Sequence, residues 1–98
     1  MAGDAISVAP HNYKTIFEND RVRLLEYSGK AGDKTEMHSH PDILAYPLTA
    51  AKVKFTLAND GQSFEAEMQA GEAMFQEGHD HSTELLGDDA RVLLFELE

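Results

Sequence analysis

The sequence predicts an all-β domain, a sandwich or barrel of about eight short strands, and three observations predict it. Clusters of turn-forming residues recur at close spacing along the chain. Between them, apolar and polar residues alternate at the two-residue period of a half-buried strand. No segment carries the amphipathic pattern of a long helix, so a parallel sheet with helical crossovers has no support.

The elements follow in order. Residues 12–28, NYKTIFENDRVRLLEYS, read as two strands broken at Glu18-Asn19-Asp20, because β-branched and aromatic residues flank a run of turn formers. The turn at 30–34 delivers the chain into a strand at 35–40, and Pro41-Asp42 punctuates before the apolar run 43–48. Residues 52–58 and 64–68 both alternate, and Asn59-Asp60-Gly61 between them is the clearest hairpin signal in the chain. After the turn at 69–71 come strands at 73–77, around 81–86 and, beyond Gly87-Asp88-Asp89, at 91–97. In this last strand Leu93, Phe95 and Leu97 share one face and Val92 and Leu94 the other, so it should be covered on both sides or pack against a partner subunit. Residues 1–98 form a single domain, with 1–11 expected as a loose N-terminal arm.

Composition narrows the setting. A chain of 98 residues builds one modest core, burying about 60 to 65% of its unfolded surface. There is no cysteine, which removes disulfides, thiolate metal sites and cysteine nucleophiles and leaves histidine and carboxylate for any metal chemistry. Eighteen acidic against eight basic residues give a net charge of −10, which excludes nucleic acid and anionic membrane as partners. The N-terminal stretch MAGDAISVAPHNY has neither a basic nor an apolar leader region, and no apolar run is long enough to span a bilayer. The expectation is a soluble, cytoplasmic protein.

The chemistry lies in the histidines. The chain has five, and two of them, His38 and His40, stand two residues apart in EMHSHPD. On a regular strand Glu36, His38 and His40 project from the same side. A glycine turn leads into this segment, GDKTEMHSH (32–40), and GEAMFQEGHDHSTE (71–84) repeats the order of glycine, apolar strand, tight turn and histidine. A lone HxH is weak, whereas two such blocks converging inside a small barrel form a more specific signal.

These blocks resemble the two short motifs of the cupin superfamily, jelly-roll β-barrels (double-stranded β-helices) whose paired motifs hold one divalent metal. The likeness runs from about Val22 to Phe95. It is nearest to the small single-domain bacterial cupins, including those linked to β-alanine degradation, which share ENDRVRLLEY and HPD followed by an apolar strand. The resemblance implies a metal held by His38, His40 and His81, with His79 as an alternate because it shares a strand face with His81. The family's fourth ligand, a glutamate with three or four residues between it and the HxH pair, is replaced by Leu44 or Ala45. In the second motif Glu77 stands where a proline is usual, and a one-residue shortening brings His81 rather than Ser82 into place.

Glu36 is the candidate catalytic base, against the plainer reading of an exposed acid at the barrel mouth. Glu84 falls on the face opposite His81 and is read as structural. Tyr46 is a possible pocket residue, while Phe75 and Phe95 read more simply as core. Arg91 should pair a surface acid, and His11 should be a surface residue. The metal is Fe, Mn, Ni, Cu or Zn, since imidazole suits several of these ions. The resemblance implies a metal-dependent enzyme of dioxygenase, isomerase or decarboxylase type acting on a small organic molecule. The alternatives are a non-catalytic binding or sensor module and a metal-free scaffold subunit. A short barrel with exposed strand edges is expected to pair as a homodimer.

Overall fold

Two-residue alternation, with one side of each strand turned to the core, folds the chain into two facing sheets. The computed structural model describes residues 3–58 and 61–97. Its elements are β1 (Gly3–Asp4), α1 (Ala5–Val8), β2 (Tyr13–Glu18), β3 (Val22–Gly29), β4 (Lys34–His40), β5 (Ile43–Pro47), β6 (Ala51–Leu57), β7 (Ser63–Met68), β8 (Met74–Gln76), β9 (His79–Leu85) and β10 (Ala90–Leu97). One sheet has the order β1-β4-β9-β6-β7 and the other β2-β3-β10-β5-β8. Among the described residues only β1 with β4 is a parallel pair. The architecture is the expected all-β jelly roll.

The inner faces follow the predicted phase. In β6, Ala51, Val53 and Phe55 are buried and Lys52 and Lys54 exposed; in β5, Ile43 and Ala45 are buried and Leu44 and Tyr46 exposed. Leu25 of β3, Leu85 of β9 and Val92 and Leu94 of β10 complete the core between the sheets. Gly32 and Gly71 both adopt positive φ, +87° and +81°, which explains why a glycine leads each histidine-bearing block: side chains other than hydrogen are strained there. Of the Asn59-Asp60-Gly61 turn, residues 59 and 60 lie outside the described residues. Gly61 has φ +69°, and β6 and β7 pair antiparallel as that turn requires.

One expectation is corrected. The N-terminal arm is not loose over residues 3–9: β1 pairs with β4 at Gly3↔His38 and Asp4↔Ser39, and Ala5 and Ala9 are buried against the core. Small apolar residues on one side of α1 and an ion pair from Asp4 to Arg23 hold the segment down. In β10, Val92 and Leu94 point into the core, while Leu93, Phe95 and Leu97 face outward and only part of their surface is covered. No helix among the described residues is long and apolar enough to cross a membrane.

Candidate metal centre

β4 and β9 run side by side in antiparallel register, with His38 opposite His81 and His40 opposite His79. This pairing joins the two histidine blocks. A further tie is Asp42 of the HPD run, whose carboxylate accepts a 2.8 Å hydrogen bond from the Gly78 backbone N–H. At Gly78 the strand passes so close to His40 that a Cβ would lie 3.1 Å from its carbonyl oxygen.

His38, His40 and His81 are all buried, and one nitrogen from each lies within 4.8 Å of the others. Their ring centroids are 4.8 to 5.0 Å apart. The hydrogen bonds on the far side of each ring fix which nitrogen carries the proton. His38 Nδ1 lies 2.7 Å from the Glu36 backbone oxygen, an acceptor only, so Nδ1–H donates and Nε2 keeps a lone pair. His40 Nδ1 lies 3.0 Å from a Glu96 oxygen. The other oxygen of that carboxylate accepts a 2.7 Å bond from Arg23 Nε, so His40 Nδ1–H also donates. His79 Nδ1 donates to the Glu77 carbonyl at 2.7 Å. Its Nε2 is therefore an acceptor, and it receives the His81 Nδ1–H at 2.7 Å.

Three Nε2 lone pairs thus converge in a buried centre. His38 Nε2 and His40 Nε2 stand 3.1 Å apart, two acceptors face to face, a repulsive arrangement that a cation between them relieves. The Tyr13 hydroxyl approaches His38 Nε2 at 3.4 Å. His81 Nε2 is buried without a hydrogen-bond partner, which costs free energy unless something coordinates it. The donor set fits a divalent transition metal, because ligating imidazoles normally donate their other N–H to a carboxylate or carbonyl. Nitrogens about 2.0 to 2.1 Å from one ion lie roughly 3 to 4 Å apart, so the 3.1 Å pair already has ligand spacing.

Burial favours the neutral form of His38 and His81. Desolvation lowers the pKa of His38, and pushes that of His81 down to about 2 with help from His40, His38 and His79 around it. Desolvation also raises the Tyr13 phenol well above its ordinary range. The chain His40–Glu96–Arg23–Asp4 is a second feature of the site. Glu96 is only 2% exposed, and it meets both the ligand imidazole and the Arg23 guanidinium. The hydrogen bond from Arg23 lowers the pKa of Asp4, and the same bond raises that of Arg23.

The other candidates fall as follows. Glu36 does not join the histidines. A register shift between Thr35 and His38, a β-bulge, reverses the alternation there, so Thr35 turns inward and Glu36 is exposed. Its contribution to the site is its backbone carbonyl. Tyr46 faces outward, 39% exposed, and Phe75 and Phe95 also lie on the outer face rather than in the core. The aromatic residues that line the pocket beside the histidines are Tyr13, Tyr27 and Phe55. His79 stands outside the converging set and orients His81. Glu84 lies on the outer face of β9, Arg91 pairs with Glu26, and His11 is exposed. The residues missed from sequence are Glu96 and Tyr13. Glu96 had a legible signal: it continues the inward phase of Val92 and Leu94.

No protein-family model matches the chain, and no curated protein matches it. Solved structures do. A cupin domain from Bordetella pertussis Tohama I superposes with TM-score 0.80 at 19% identity, over 88% of this chain and 91% of that one. The polyketide cyclase RemF from Streptomyces resistomycificus gives 0.64 at 23% identity, over 87% of this chain and 63% of that one. An oxalate decarboxylase variant from Bacillus subtilis also gives 0.64 at 23%, over 88% of this chain and only 24% of its own length. The chain is therefore a protein of cupin fold.

Proposed function

We propose that this protein holds one divalent metal ion through Nε2 of His38, His40 and His81, and that it is an enzyme acting on a small organic molecule bound in the adjoining pocket. The observation that carries the reading is the convergence of three unprotonated ring nitrogens, each fixed by an acceptor on its far side. Bound there, a metal would supply Lewis acidity toward a carbonyl or a lowered pKa for a coordinated water. The chain's own residues orient the rings, and the sheets around them exclude water. Protein purified without an affinity tag should carry stoichiometric metal by elemental analysis, and the double substitution His38→Ala, His40→Ala should abolish it. A metal-free wild-type protein that also fails to take up Zn(II), Fe(II), Mn(II), Ni(II) or Cu(II) would contradict the reading.

One observation favours a second reading, a binding or sensor module. With Glu36 turned outward, no carboxylate lines the pocket among the described residues. Turnover of a small-molecule panel by the metal-loaded protein decides for the enzyme, and ligand retention without turnover decides for the module.

We further propose a homodimer. Across the outer face of the second sheet, Phe17, Leu24, Phe95, Leu44 and Phe75 fall on one register row. Its ends are 53% and 57% exposed at Phe17 and Phe75, and contiguous apolar surface of this kind supports an interface. Light scattering at micromolar concentration should give twice the chain mass, and Phe75→Asp should shift the population toward monomer. A monomeric wild type would refute the pairing.

A further inference from the structure

A cavity of about 50 Å³ lies between the sheets beside His40 and His81, several times the roughly 10–15 Å³ that one water occupies. Its walls are mainly apolar, among them Val53, Phe55 and Leu94, and Tyr13, Tyr27 and Thr83 bring hydroxyl groups to the lining. No lysine, arginine, aspartate or glutamate lines it among the described residues, and Gln76 is its one side-chain amide. The half-buried Arg23 guanidinium is engaged by Asp4 and Glu96 and is not among the lining residues.

From this lining we infer the substrate class: a small uncharged molecule with an apolar body and a single carbonyl or hydroxyl oxygen, the body between the sheets and the oxygen toward the histidine nitrogens. The inference rests on the proposed function only for where the oxygen points. The walls set the rest. A charged group on the body would lose its hydration among aliphatic and aromatic side chains without gaining a countercharge. A body that carries a carboxylate is therefore rejected. Oxalate, which names one of the structurally similar enzymes, is excluded on this ground.

The test uses 2-butanone and oxalate, two molecules of similar size, titrated into the metal-free protein and followed by the backbone amide resonances of Ala45, Val53 and Val92. 2-Butanone should shift all three, with an apparent affinity at least about tenfold above that of oxalate. The half-buried Gln76 at the edge strand β8 offers a gain-of-function control: Gln76→Arg should reverse the order by supplying the missing cation. Equal or tighter binding of oxalate to the wild type, or no response to 2-butanone, would overturn the inference. So would Gln76→Arg, shown folded by its amide spectrum, binding oxalate no better than the wild type. Because these titrations need no metal, their failure is distinct from that of the metal site, which Zn(II) stoichiometry on the same samples reads separately.

Discussion

Replacing Glu96 by alanine should cost about 3 kcal/mol of folding stability, measured by chemical denaturation. Removing one member of a buried ion pair leaves the other charge without compensation, typically costing about 3 to 5 kcal/mol. The lower end applies here, because Arg23 keeps Asp4 and is partly solvated. Metal affinity should fall as well, by about 10- to 100-fold, the usual effect of losing the group that orients a ligating histidine. Glu96→Gln separates the two effects. An amide has one oxygen, and the Arg23 guanidinium, a donor only, claims it. The amide nitrogen then faces His40 Nδ1 and donates to it, moving the imidazole proton to Nε2 and removing the lone pair meant for the metal. Weakened metal binding in a variant that remains folded is the expected result. Unchanged metal affinity in both variants would reduce Glu96 to a structural role.

The second large effect is on pH dependence. In the unfolded chain histidine titrates near 6.5, whereas folded His81 stays neutral down to about 2 and the pKa of His38 is also depressed. Between these values the unfolded state binds more protons than the folded one. Stability is therefore full above about pH 6.5 and is lost as the pH falls toward the folded pKa. For His81 alone the loss between pH ~6.5 and ~5 is about 2 kcal/mol, and His38 adds in the same direction. Asp4, whose pKa is lowered by Arg23, contributes with the same sign but in a more acidic window, below about 3.8. Urea denaturation of metal-free protein at pH 7 and pH 5 measures this, and His81→Gln should flatten the slope. A wild-type stability that holds or rises toward pH 5 would contradict the burial of neutral imidazoles.

The sequence made the strands and the ligand set legible because both depend on local pattern. Alternation places Val53 and Phe55 inward whatever the distant contacts, and glycines at left-handed turns mark where each histidine strand begins. What escaped depends on departures from that pattern or on partners far along the chain. Glu36 was misplaced because a bulge between Thr35 and His38 adds a residue to one strand only, which no alternation argument detects. By residue type Tyr46 reads as a possible pocket residue. Its phase, opposite to that of Ile43 and Ala45, sends it outward. The docked N-terminal segment depends on Asp4 meeting Arg23, a contact between different strands. Glu96 was readable from its phase in the last strand, but an acid at the end of an apolar strand is more commonly solvent-facing.

The central claim is that His38, His40 and His81 all carry their proton on Nδ1 and present Nε2 to one ion. Long-range ¹H–¹⁵N NMR of the histidine rings tests it most directly, on metal-free protein near neutral pH and again after Zn(II) addition. Nδ1–H tautomers are expected at all three positions, with zinc moving the Nε2 resonances of these three rings together. An Nε2–H tautomer at any of them, or a zinc response confined to other histidines, would contradict it.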